Sequence, residues 1–137
     1  MEVLTFPAVL ENLPRFVESV RAGAESFGLN RKKVQRLELA LEEALVNVAS
    51  YAYPQGTGSV EVRFECRNES DFVVEIIDQG APFDILARTD PDTTQDIDER
   101  KIGGLGILLI KEVLDHVDYR REAGKNILTF TLAKEGM

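Results

Sequence analysis

Tryptophan is absent from this 137-residue chain, and cysteine and histidine occur once each, as Cys66 and His116. A single cysteine excludes an internal disulfide and any multi-cysteine metal site, which makes a reducing compartment the simpler setting. No apolar run approaches the ~18 residues of a membrane span. The N-terminus also lacks a basic segment followed by a long apolar core, so neither a membrane nor secretion is expected and the cytoplasm is the expected location. Basic residues are the minority, 16 Lys and Arg against 24 Asp and Glu, for a formal charge of −8. That balance disfavours nonspecific nucleic-acid binding, which draws on basic surfaces. Internal repeats, low-complexity tracts and linkers are missing too, so residues 1–137 read as one domain. What remains, 44% apolar and 29% charged, is an ordinary soluble composition.

Hydrophobic periodicity supplies the architecture. Val3, Leu4 and Phe6 before Pro7 suggest a short strand. Phe16, Val17, Val20, Ala24 and Phe27 recur at three- and four-residue steps, predicting a helix from Leu13 with Asn12 as N-cap and Gly28 just past its end. A second helix is expected after Asn30, carrying Leu37, Leu41, Ala44, Leu45, Val48 and Ala52 in its apolar stripe and ending near Tyr53, before Pro54 and Gly56. The period then becomes two: Val60, Val62, Phe64 and Cys66 alternate with Glu61, Arg63, Glu65 and Arg67, a half-exposed strand. It turns at residues 68–71 into a more buried strand, Phe72 to Asp78. Residues 80–104 show little periodicity and read as a functional loop, followed by a helix to Leu114 and a hairpin, Val117 to Glu122 and Asn126 to Leu132, turning at 123–125. The implied class is α+β, a two-layer sandwich with a mixed, mostly antiparallel sheet covered on one face by about three helices.

Three segments carry chemistry. Glu43 and Asn47 stand four residues apart on one helix face, and Asn is a poor mid-helix residue. The pair suits a metal-binding amide with a carboxylate one turn away, in the oxygen-ligand style of Mg²⁺. Asp78-Gln79-Gly80 closes the buried strand with a carboxylate able to accept from a ligand amino group, beside a glycine that lets a group approach the backbone. Gly103, Gly104, Leu105 and Gly106 precede a helix, where backbone N–H groups and the helix dipole attract anions such as phosphate. Each segment alone also has an ordinary structural explanation, and none is a P-loop or a dinucleotide fingerprint.

Taken together, in this order and spacing, the three resemble the N, G1 and G2 boxes of the GHKL ATPase superfamily, with Asn126-x-Leu128-x-Phe130 fitting its last strand. Glu43-Ala-Leu-Val-Asn47, the Asp78-to-Asp84 string, Glu99 through Ile107 and Leu114-Asp115-His116-Val117 are similar to the anti-sigma factor serine kinases of bacterial partner-switching systems. The resemblance implies ATP and Mg²⁺ as cofactors. It implies Asn47 as metal ligand, Asp78 and Gly80 at the adenine, Gly103, Gly104, Leu105 and Gly106 at the phosphates, Glu43 as general base and Arg100 as a charge stabiliser. The implied partner is a STAS-domain anti-anti-sigma protein, with a sigma factor as a second target and a homodimer as a common state among relatives. A nucleotide-gated binding module, or a slow ATPase without protein phosphorylation, is the alternative. One departure is Val46, where several family members carry a small hydroxyl residue.

Other residues carry plainer expectations. Cys66 lies in the apolar register of its strand and reads as a small core residue; His116 reads as a surface or capping residue; and Arg31, Lys32, Lys33 and Arg36 read as a solvated face. The acidity is concentrated between Asp84 and Glu99, where six acids face one base, a local −5 within the implied nucleotide lid of about 84–104. Such a lid would repel phosphates unless a cation is present, so its closure is expected to depend on metal.

Overall fold

Residues 2–53, 58–82 and 114–134 are described by the structure, a computed structural model, with Tyr51 described by its backbone alone. The expected lid at 84–104, Arg100, the glycine segment 103–106 and the helix after it up to residue 113 lie outside the described residues.

Strand β1 (Glu2–Pro7) leads through a 3₁₀ turn (Leu10–Asn12) into helix α1 (Leu13–Phe27) and then α2 (Arg31–Asn47), which continues as π-helical turns over Val48–Ala52. Four strands follow: β2 (Ser59–Arg67), β3 (Asp71–Asp78), β4 (His116–Glu122) and β5 (Lys125–Ala133). They form one sheet with β1 in the order β1-β2-β3-β5-β4. Every described pairing is antiparallel, so the expected mixed sheet is corrected. β3 and β4 do run in the same direction, but β5 lies between them and pairs antiparallel with both. Both hairpin turns use two residues at positive φ, Asn68 (55°) with Glu69 (59°) and Ala123 (51°) with Gly124 (77°), the backbone twist that tight hairpins favour. Lys125 therefore belongs to β5, paired with Glu122, rather than to the turn.

The helices cover one sheet face, and the period-3.6 and period-2 stripes meet there. Phe16, Val20, Leu37, Leu41 and Leu45 from the helices interlock with Val62, Phe72, Ile76, Phe130 and Leu132 from the strands, all 2% exposed or less. Burying side chains of this size contributes about 1.5–3 kcal/mol each before entropy is counted. On the other face, Arg120 with Glu75 and Arg63 with Glu61 pair across or along strands, partly exposed ion pairs of small energetic weight.

Three local expectations change. Asn12 does not cap α1: the preceding 3₁₀ turn runs straight into the helix, leaving Asn12 in the α region, and its amide instead donates to the Pro7 carbonyl (2.8 Å). Asn30 does cap α2, its side chain accepting from the Lys33 N–H (2.8 Å). Cys66 is exposed, not core, because the aromatic cover from α1 ends with Phe27 over Phe72, beside Phe64. Lys33 is not part of a solvated face. It is 9% exposed, and its ammonium donates to the Ala133 carbonyl and to Asp115 Oδ2 (2.9 Å), joining the start of α2 to the end of β5 and to the residue before β4.

Asp115 also accepts from the Ala133 N–H at 2.8 Å. Partial burial pushes its carboxyl up, but the hydrogen bonds from Lys33 and Ala133, together with the charges of Lys33 and Arg36, outweigh this and hold it below the usual range. A depressed folded-state pKa stabilises the fold above the unfolded carboxyl value of about 3.9, and that contribution is lost as pH falls through the folded value. Asp115→Asn should therefore melt below the wild type at neutral pH, with the gap in Tm closing as pH drops below about 4. Thermal unfolding between neutral and acid pH checks this, and a gap that stays constant would remove the ion pair from the account.

Candidate nucleotide site

The site is assembled where α2 gives way to π-helical turns. Asn47 closes the α-helical part, 3% exposed, and its Nδ2 donates backward to the Glu43 carbonyl (2.7 Å) and to Glu43 Oε1 (3.1 Å). Both amide hydrogens are thereby committed to acceptors, so the amide oxygen must face the other way. That oxygen, Asn47 Oδ1, is fully buried and has no hydrogen-bond partner among the described residues. A buried acceptor left unmet is costly in a folded protein, and an oxygen so placed is a ready ligand for a hard cation. The wider π-helical turns that follow are a feature often found at functional sites.

The floor comes from the end of β3. Asp78 is 7% exposed, and its Oδ1 accepts from the Gly80 N–H (2.9 Å) and from Asn126 Nδ2 (2.9 Å) on β5. Among the described residues both of these bonds fall on Oδ1, leaving Oδ2 as the oxygen available to an incoming donor. The turn after Asp78 is fastened from both sides. Ala52 accepts from the Ala81 N–H (3.2 Å) and the Tyr53 hydroxyl accepts from the Gln79 N–H (2.8 Å), while Arg121 donates to the Gly80 carbonyl (2.7 Å). Tyr53 in turn donates to the Ser59 carbonyl (2.7 Å). Burial pushes the Tyr53 phenol up, the Gln79 N–H draws it down and the Asp78 charge raises it again; the net direction is up, which keeps the phenol a donor.

Asn47 and Asp78, separated by 31 positions in sequence, line one pocket with Ala52, Ile76, Tyr119, Asn126 and Leu128 among its walls. It is mostly apolar with a few convergent polar groups, the composition of a small-molecule site. Glu43 stands one helical turn from Asn47, half-buried and bonded to it. Gly80 packs against the π-helical turn: a Cβ there would lie 2.1 Å from the Ala52 carbonyl oxygen. Periodicity gave no role to Tyr119 or Asn126 at the site. The available signal was Asn126 itself, a strand-disfavoured amide in the run Asn-Ile-Leu-Thr-Phe-Thr-Leu. His116 is exposed and pairs with Asp118 (3.1 Å), the surface position expected. No helix among the described residues is long and apolar enough to cross a membrane.

Comparison with known proteins identifies the family. Residues 6–132 match the histidine kinase-like ATPase domain family. The chain is 28% identical over 125 residues to the serine-protein kinase RsbW of Halalkalibacterium halodurans, covering 88% of this chain and 76% of that protein. It is 31% identical over 111 residues to the RsbW of Bacillus licheniformis, covering 76% and 68% respectively. It is 28% identical over 95 residues to the serine/threonine-protein kinase BtrW of Bordetella bronchiseptica, covering 69% and 67%. Its fold is similar to a crystal structure of the RsbU and RsbW domains of a Mycobacterium tuberculosis protein, with TM-score 0.62 and 14% identity, over 96% of this chain and 32% of that one.

Proposed function

Since the chain belongs to the histidine kinase-like ATPase domain family, in the company of the RsbW serine-protein kinases, we propose that it is an ATP-dependent protein serine/threonine kinase of a bacterial partner-switching system. Its substrate in this reading is a serine on a STAS-domain antagonist, and a sigma factor is the target it sequesters. The observation that carries the reading is the buried Asn47 Oδ1, without a hydrogen-bond partner among the described residues, in the same pocket as the Asp78 carboxylate. A hard-cation ligand and an acceptor for an amino group are what Mg²⁺ and adenine each require.

Bound Mg·ATP supplies the transferable phosphoryl group and neutralises part of its charge. The chain's own residues do the rest. Asp78 would accept the adenine amino group on Oδ2, its carboxylate held by Gly80 N–H and Asn126. Asn47 would hold the cation through Oδ1, with its amide kept in that orientation by Glu43. Glu43, half-buried beside Asn47, would accept the proton of the attacking serine hydroxyl. Arg100 is assigned to stabilise phosphate charge, and Gly103, Gly104, Leu105 and Gly106 are assigned to offer backbone N–H groups to the phosphates. Phosphoryl transfer asks for positioning and charge neutralisation more than covalent chemistry, so this set is sufficient.

A pull-down with and without Mg·ATP, followed by mass spectrometry of the captured protein, tests the reading. The expected result is a STAS-domain partner carrying phosphoserine only when Mg·ATP is present. Partner affinity that follows nucleotide with no phosphoserine would identify a nucleotide-gated binding module instead.

A further inference from the structure

Asp78 recognises its ligand only if its carboxylate is held in one plane, and the bonds around it trace how that is done. Asn126 Nδ2 lies 2.9 Å from Asp78 Oδ1 and 2.8 Å from the Ala81 carbonyl. Both partners are acceptors, so both amide hydrogens are spent on them, and rotating the amide by half a turn would set its oxygen against two other oxygens. The end that carries Oδ1 is met by the Tyr119 hydroxyl, which donates to it at 2.6 Å. Tyr119 sits on the edge strand β4 opposite Leu128, two residues along β5 from Asn126, which is within diagonal reach across an antiparallel pair. All three side chains line the same pocket.

We infer that Tyr119 is a positioning residue for purine selection: its hydroxyl fixes the Asn126 amide, and the amide fixes the Asp78 carboxylate so that one oxygen remains for a 6-amino group. The inference rests on the reading of the pocket as an adenine site. A purine with a 6-oxo group presents an acceptor to the same carboxylate and is rejected, because the site leaves both oxygens unmatched. Tyr119 thus sets selectivity without contacting the reacting atoms.

Calorimetric titration of the full chain with Mg·ATP and with Mg·ITP, which carries oxygen in place of the 6-amino group, tests this. The wild type should prefer ATP by more than about tenfold. Tyr119→Phe, which removes one oxygen atom, should weaken ATP binding by about three- to tenfold while changing ITP binding less than about twofold, so the preference narrows. Asn126→Ala should narrow it as well, and adding Tyr119→Phe to Asn126→Ala should change the ratio no further, as two members of one chain of bonds require. Should Tyr119→Phe lose its fold by circular dichroism, Asn126→Ala and Tyr119→Trp carry the same comparison of ratios. An equal fall in both affinities, or additive effects in the double variant, would overturn the relay while leaving the adenine pocket standing. A wild type that binds ATP and ITP alike would overturn the adenine reading, and the relay with it.

Discussion

Glu43→Gln is expected to leave ATP affinity within about twofold of the wild type and to lower phosphoryl transfer to a serine acceptor by about 10²- to 10⁴-fold, the usual weight of a positioned general base. The separation of the two effects follows from what each oxygen does. Glu43 Oε1 accepts from Asn47 Nδ2 at 3.1 Å, and a glutamine keeps an amide oxygen for that bond. The Glu43 carbonyl, which accepts from the same Nδ2 at 2.7 Å, is untouched by the substitution. Asn47 therefore stays oriented and its Oδ1, the proposed cation ligand, stays where it is. What is lost is a group able to take a proton, since a neutral amide has no useful basicity near neutral pH. Calorimetry for binding and phosphoserine quantification for transfer separate the two, and transfer at the wild-type rate would remove Glu43 from the role of base.

Gly80→Ala should destabilise the protein before any ligand is added, by about 1–3 kcal/mol, the range for forcing extra atoms into a packed site. The added Cβ would stand 2.1 Å from the Ala52 carbonyl oxygen and 2.7 Å from its carbonyl carbon, and backbone has little room to retreat. The same oxygen accepts from the Ala81 N–H, so relieving the overlap means opening that bond. The Gly80 N–H bond to Asp78 would be pulled with it, and nucleotide affinity should fall in parallel. This differs from a glycine whose purpose is to admit a base: there the free protein would be unaffected and only binding would suffer. Urea unfolding of the ligand-free chain distinguishes them, and an unchanged midpoint would return Gly80 to the second role.

How much of this was legible in the sequence depends on the range of the interaction. α1 and α2 were readable because their apolar spacing is a property of neighbouring residues, and Phe16, Val20, Leu37 and Leu41 are buried as the spacing requires. The start of α2 after Asn30 and the pairing of Glu43 with Asn47 were readable for the same reason, since each depends on residues three or four apart. Lys33 was misread because its partners, Asp115 and Ala133, lie 82 and 100 residues away. Cys66 was misread because a period of two states which face a residue occupies but not how far along the strand the opposite layer reaches. Asp78 was marked by its place at a strand end, whereas Tyr119 and Asn126 acquire their meaning only when β5 is laid beside β3. The π-helical turns at Val48–Ala52 have no composition signal that separates them from a continuing α-helix.

The position of β5 has a consequence for how the molecule is made. It follows β3 and β4 in the chain, yet it is inserted between them, and Asn126 meets Asp78 across 48 residues. During synthesis on the ribosome, β1, β2 and β3 emerge first, with the inner edge of β3 still unpaired. Domains generally fold as units, and nonlocal pairing of this kind is slow because the loop must close before any contact rewards it. A nascent chain halted before β5 can present Glu43 and Asn47 on their helix, but it lacks the strand that sets Asp78. In the proposed reading, a competent nucleotide pocket therefore waits for β5, the strand that brings Asn126 to Asp78.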